Sequence, residues 1–124
     1  MTLDGCFEGG ESWDLASHER AWGKELERFC LEQIEEIGTI LFGRVTYDGM
    51  AEHWQAQKGE IADFMNDTEK VVVSNSMTQP RWANSTILTG DINEGIRELK
   101  NQRGKDIYVF GSAELVNTLL HAGL

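Results

Sequence analysis

One pattern constrains this chain more than any other because it occurs twice. A short apolar run ends in a glycine and small polar residues, and a helix-like segment follows. The first instance is Thr39-Ile40-Leu41-Phe42-Gly43-Arg44-Val45-Thr46, and the second is Asp106-Ile107-Tyr108-Val109-Phe110-Gly111-Ser112-Ala113-Glu114-Leu115. Each reads as a buried strand turning through a glycine into a helix start, where unpaired backbone N–H groups and the helix dipole favour an anion. Two such corners in one small domain suit a nucleotide with several phosphates, and Arg44 adds a fixed positive charge beside one of them. Plain strand–helix connections occur in every α/β protein. The Gly-Arg-x-Thr chemistry favours a binding site here.

Other segments extend the alternation. Residues 1–14 are glycine-rich and acidic and read as a strand end followed by a loop. Over residues 17–36, Trp22, Leu26, Phe29, Cys30, Ile34 and Ile37 recur at steps of three and four, which predicts one amphipathic helix with Ser17 as its N-cap. Residues 37–42 are apolar and β-branched, hence a buried strand. Residues 46–54 and 60–66 read as helices, and Lys70-Val71-Val72-Val73-Ser74 is the clearest strand. Gln79-Pro80-Arg81 interrupts the pattern before a strand at 86–88. Asp91 N-caps a helix running to about residue 100, with Glu94 at the capping-box position. A strand at 107–110 and a helix at 114–121 closed by Gly123 complete the series. Strands alternating with helices predict a mostly parallel sheet covered on both faces.

Composition narrows the function. The 124 residues suffice for one core, and a single proline with 40% hydrophobic residues marks a globular chain. The net charge of −10 is uneven: residues 1–69 hold 16 acids and 5 bases, residues 70–124 hold 5 acids and 6 bases. That distribution repels nucleic acid and offers no basic stripe. Cys6 and Cys30 make no CxxC and no zinc spacing with His18, His53 or His121, so no metal site is expected. They read as reduced, partly buried thiols of a cytoplasmic protein, with a disulfide left open. No signal-peptide pattern and no apolar run long enough to span a membrane occurs. The Rossmann glycine fingerprint, the Walker lysine loop and the Gly-x-Ser-x-Gly elbow are absent.

The ordered set of short motifs resembles the dihydrofolate-reductase-like superfamily, and within it the C-terminal reductase domain of the bacterial riboflavin-biosynthesis protein RibD. The motifs are Met1-Thr2-Leu3-Asp4-Gly5, Trp13-Asp14, Leu41-Phe42-Gly43-Arg44-Val45-Thr46-Tyr47, Met65-Asn66, Lys70-Val71-Val72-Val73-Ser74 and Trp82-Ala83-Asn84-Ser85. They continue through Gly90-Asp91, Leu99-Lys100, Gly104-Lys105-Asp106, Gly111-Ser112-Ala113-Glu114-Leu115 and Leu119-Leu120-His121-Ala122-Gly123-Leu124. The resemblance is colinear over the whole chain. It implies a three-layer α/β/α domain over residues 1–124, a partial one, since relatives have most of a first strand before Met1 and further strands after Leu124. Either the sequence is a fragment or a second copy supplies the missing strands, which points to a homodimer.

By that resemblance the chain is an NADPH-dependent reductase moving hydride to a small pteridine-, flavin- or pyrimidine-like substrate; the alternative is a non-catalytic nucleotide-binding or dimerising module. Gly43, Arg44, Val45 and Thr46 would bind cofactor phosphates, Arg44 through its rigid guanidinium fork. Ser74 and Asn75 would lie at the adenosine 2′-phosphate. Relatives place a second basic residue there, and this chain has none before Arg81, so the choice between NADPH and NADH stays open. Gly111, Ser112, Ala113, Glu114 and Leu115 would wrap the pyrophosphate, with Gly111 admitting close backbone approach. Asp4, Gly5 and Trp13 would border the nicotinamide and substrate, making Asp4 and Trp13 the weak catalytic candidates.

No proton donor emerges from the sequence. Asp14, His18 and Glu19 occupy the stretch where folate reductases carry a carboxylic acid, but none matches cleanly, and each reads as a cap or a solvated charge. Trp54 and Trp82 could stack on a ring, although core or rim positions are the commoner use of such residues. His53 has no adjacent nucleophile and reads as a helix-surface residue.

Overall fold

Among the described residues four runs become strands, and each connection returns the chain to the same end of the sheet. The computed structural model describes residues 6, 8–11 and 13–124. Asp4 and Gly5 therefore lie outside the described residues, as does the rest of the opening motif. The chain divides into two compact units, Met1–Gln33 and Ile34–Leu124.

In the second unit, strands β1 (Ile37–Gly43), β2 (Glu69–Val73), β3 (Ser85–Leu88) and β4 (Asp106–Val109) form one sheet in the order β3-β2-β1-β4. Every pairing is parallel, with Leu41 opposite Val71 on one side and Val109 on the other. The chain is thus an α/β fold of the expected class. Parallel pairing demands crossovers, and helices supply most of them: α3 (Arg44–Ala56) and α4 (Glu60–Asp67) between β1 and β2, α5 (Ile92–Asn101) between β3 and β4, then α6 (Ala113–His121).

The two-residue period of the strands sorts the core into two faces. Ile40, Phe42 and Val72 pack with Tyr47 and Ala51 of α3, Met65 of α4 and the loop residue Trp82. Leu41 and Val71 point the other way, to Ile96 of α5 and Leu115 and Leu119 of α6. Ile40, Leu41, Phe42, Tyr47 and Val72 are essentially inaccessible to water, each worth about 1.5–3 kcal/mol against leaving it exposed. A sheet with helices on both faces is the predicted layering.

Element ends are specified locally. Asp91 accepts from the Glu94 N–H at 3.1 Å, the N-cap that the sequence predicts. At the end of α6, Gly123 has φ +69°, its N–H bonds Leu120 O and the Leu124 N–H bonds Leu119 O. This is the Schellman arrangement, with Leu124 packed beside Leu119.

The first unit departs from expectation. The single helix predicted over 17–36 is two, α1 (Ala16–Ala21) and α2 (Lys24–Ile34). Trp22 turns extended at φ −67°, ψ 132°, and Gly23, among the poorest helix formers, follows it. Ser17 lies inside α1 rather than capping it; Leu15 holds the cap position and the Asp14 carboxylate accepts from the Ala16 N–H instead. Trp22 and Phe29, expected to be buried, are exposed, and Ile37 belongs to β1. Cys30 is half-buried as expected, and burial pushes its thiol pKa up, whereas Cys6, expected to be partly buried, is exposed.

Candidate functional site

Strand order locates the site before any side chain is considered. From β1 the chain proceeds outward to β2 and β3, then returns to place β4 on the opposite side of β1. Helix α3 leaves β1 toward one face, carrying Tyr47 and Ala51, while α6 after β4 serves the other face with Leu115 and Leu119. The carboxyl ends of β1 and β4 therefore stand side by side at a topological switch point, the place where open α/β sheets take ligands. Both glycine corners of the sequence stand there.

Hydrogen bonds interlock the corners. Ser112 Oγ accepts from the Gly43 N–H at 2.9 Å and donates to Phe110 O at 3.2 Å. The Ser112 N–H in turn donates to Thr46 Oγ1 at 3.2 Å. Gly111 has φ +57° and Ser112 φ 54°, two successive left-handed residues. For Ser112 that conformation costs about 1 kcal/mol, and the bonds to Gly43 and Thr46 hold it in place. A Cβ on Gly111 would approach Thr46 Cγ2 to 3.1 Å, so the glycine is required by both its φ and its neighbour.

The consequence is a pair of helix starts held side by side. The first-turn N–H groups of Arg44, Val45 and Thr46, and those of Ala113, Glu114 and Leu115, lack intrahelical acceptors. Val45 is exposed at the start of α3, while Leu115 turns its side chain into the core. Ser112 spends its hydroxyl proton on Phe110 O, whereas Thr46 Oγ1 only accepts, which leaves the Thr46 O–H and the backbone groups as donors toward an anion. Helix starts of this kind attract anions.

Arg44 leads away from the lock toward β2. Its Nη1 donates to Ser76 Oγ at 2.5 Å and its Nε lies 3.6 Å from Asp48 Oδ2. Ser74 follows β2 with a buried side chain whose Oγ accepts from the Ser76 and Met77 N–H groups, fixing the turn. Asn75 is exposed and its Oδ1 accepts from the Gly90 N–H at 3.1 Å, tying this turn to the one after β3. Ser74 and Asn75 therefore shape the loop that presents Ser76 to Arg44. Neither Ser76 nor Asp48 is distinguishable by sequence alone; only the i,i+4 spacing of Arg44 and Asp48 on a helix hints at their pairing.

Trp13 belongs to the first unit, where it is exposed, with φ 66° and its N–H on Glu8 Oε2. Trp82 is no stacking platform: it is buried, its backbone N–H donates to the Tyr47 hydroxyl at 2.9 Å and its Nε1 to Asn66 Oδ1 at 2.7 Å. His53 is an exposed residue set edge-on against Trp54. Among the described residues no group of three or more metal-ligating side chains converges, and no helix is long and apolar enough to cross a membrane.

Lys70 is the residue whose role the sequence conceals. Fully buried at the start of β2, its Nζ donates to the carbonyls of Met65, Asn66 and Thr68 and lies 4.6 Å from the Trp82 ring centroid. It closes the C-terminus of α4, where a cation also opposes the helix dipole. Burial pushes its pKa down to about 8, against the attraction of Asp67. This cluster sits at the start of β2, away from the glycine corners, and belongs to the scaffold.

Comparison with known proteins agrees with this architecture. The family described as RibD C-terminal domain matches residues 1–124. The chain is also similar to an uncharacterized protein, YyaP, of Bacillus subtilis (strain 168), with 32% identity over 133 residues covering all of this chain. The chain spans 65% of that relative's length.

Proposed function

The chain belongs to the RibD C-terminal domain family, a family of reductase-like domains, and we propose from that premise that it binds NADPH and passes hydride to a small heterocyclic acceptor. The observation that carries this reading is the interlock of Gly43 and Thr46 with Ser112 at the β1/β4 switch point. It ties the starts of α3 and α6 together, and two adjacent helix starts are what a pyrophosphate would need. Gly43, Arg44, Val45 and Thr46 hold one phosphate, and Gly111, Ser112, Ala113, Glu114 and Leu115 hold its neighbour. Ser74 and Asn75 support the turn facing the adenosine end. The bound dinucleotide supplies the hydride; the protein's part is to orient it and keep the phosphates in a fixed cradle.

Titrating the protein with NADPH and following nicotinamide fluorescence tests the proposal. Saturable binding at submillimolar cofactor is expected, and its absence in folded protein ends the reading. Oxidation of the bound cofactor by one of a panel of pterins, flavins and aminopyrimidines identifies a reductase. Binding without turnover across that panel makes the domain a nucleotide-binding module instead. We further propose a homodimer, supported by the outer strands β3 and β4, whose far edges pair with no described strand. Light scattering on the purified chain should give twice the 14.0 kDa monomer mass; a monomer across the micromolar range removes that part.

A further inference from the structure

The outer strand β3 is bonded on one side and open on the other. The Lys70 N–H donates to Asn84 O at 2.8 Å and the Ser74 N–H to Leu88 O at 3.1 Å, which sets the phase of the β2–β3 ladder. Residues 84, 86 and 88 therefore turn their backbone groups toward β2. Ser85 and Ile87 turn theirs outward, where no strand among the described residues meets them. Such an edge is a template for a further extended segment.

Two hollows adjoin along this edge and share Glu69 and Thr86. One is a groove of about 200 Å³ between the sheet and α5, floored by Val71, Leu88 and Leu99 and rimmed by Glu69 and Glu98. That is less than the roughly 300–1,000 Å³ of a small-molecule pocket, a size for side chains instead. Gly95 forms part of its helix wall, and a Cβ there would collide with Leu88 Cδ1, so the missing side chain lets Leu88 lie against α5. The other hollow is polar, with Asp67, Asn84 and Ser85 at the start of β3. Glu69 and Glu98 are exposed, and no lysine or arginine lines either hollow.

We propose that the β3 edge is a docking site for an extended segment of a basic partner protein, which adds as a strand beside Ser85 and Ile87. Its main chain pairs with their outward N–H and C=O groups. Lysines or arginines at alternate positions lay their aliphatic stems over Val71, Leu88 and Leu99 and bring their charges to Glu69 and Glu98. The intervening residues are apolar and lie beside Ile87, which packs on the opposite face of the sheet. Charge selects this occupant over a second copy. The chain carries −10, and two β3 edges brought together would set Glu69 and Glu98 against the same carboxylates, whereas a basic segment is drawn in by them. Glu69 and Ser85 begin their strands, so this edge is separate from the glycine corners, which stand at the carboxyl ends of β1 and β4.

An end-capped, fluorescein-labelled hexapeptide of alternating Lys and Val is titrated against the whole chain by anisotropy, with an alternating Glu and Val peptide as its counterpart. Two further Lys-Val peptides are N-methylated, one at its lysines and one at its valines. Saturable submillimolar binding of the parent peptide is expected, and none of the Glu-Val peptide. One methylated form should bind about tenfold more weakly, since it has lost the donors that face β3. The double variant Glu69→Gln with Glu98→Gln, its folding checked by thermal melts, should weaken the parent peptide about fivefold. No binding of the parent peptide, equal binding of the Glu-Val peptide, two methylated forms that bind like the parent, or an indifferent double variant each overturns the proposal. Slow exchange of the Ser85 and Ile87 amides in the peptide-free protein, deepening with protein concentration, gives the edge to a second copy and overturns it as well.

Discussion

Tyr47 and Lys70 show how single side chains join separate segments. The Tyr47 hydroxyl, fully buried, is the acceptor for the Trp82 N–H. Tyr47→Phe leaves that donor buried and unpaired, a loss of about 1–3 kcal/mol that urea unfolding would measure. Lys70 answers three carbonyls at the end of α4, so Lys70→Met should cost about 2–4 kcal/mol. Its pH behaviour has a definite sign. The folded pKa of about 8 lies below the unfolded value of 10.5, so between them the unfolded chain holds the proton that the folded chain has lost. Stability then rises with pH across roughly 8 to 10.5 and is flat for this group below 8. The wild-type curve minus that of Lys70→Met isolates the effect; a difference that falls across the window would show the carbonyls and the Trp82 ring overriding burial. None of this is legible in the sequence, where Lys70 looks like a polar strand end and Trp82 like a loop aromatic. The contacts that define them come from Tyr47, Met65 and Asn66 through the tertiary fold.

At the scale of elements, the sequence announces what local physics decides. The strands at β1 and β2 follow from β-branched runs, and α5 and α6 from periodicity with a capping aspartate and a closing glycine. The helix over 17–36 fails because apolar spacing alone takes no account of Gly23, which leaves α1 and α2 as separate pieces. The two glycine corners are visible as motifs, but their interlock is not, since Gly43 and Ser112 are 69 residues apart. Two glycines separate structural from functional effects. A Cβ added at Gly123, where φ is +69°, would meet nothing within 4 Å, whereas one added at Gly111, where φ is +57°, would meet Thr46 at 3.1 Å. Both Gly→Ala changes should cost about 1–2 kcal/mol through left-handed strain. Only Gly111→Ala should also disturb the Thr46–Ser112 bond, lowering NADPH affinity about tenfold, while Gly123→Ala binds as wild type. Equal affinities in the two variants would detach the corner from the cofactor.

For the molecule as a whole, charge and local chemistry pull in opposite directions. The chain carries −10, and residues 34–124, which hold the proposed site, carry 13 acids against 8 bases, a net −5. The proposed ligand, a phosphorylated dinucleotide, is itself polyanionic, so the long-range field would oppose its approach while Arg44 and the helix starts would attract it at contact. Salt acts on these two components over different distances. The screening length is about 30 Å at 0.01 M and about 10 Å at 0.1 M, so moderate salt removes the distant repulsion first. At 1 M it is about 3 Å, short enough to weaken the contact pairs as well. NADPH affinity should therefore hold or rise between about 10 and 100 mM NaCl and fall toward 1 M, with the falling limb shallower in Arg44→Ala. Equilibrium titrations at fixed pH across that series measure it. A steep, continuous loss of affinity from the lowest salt upward would mean that a broad basic surface gathers the ligand, which the acidic composition of this chain contradicts.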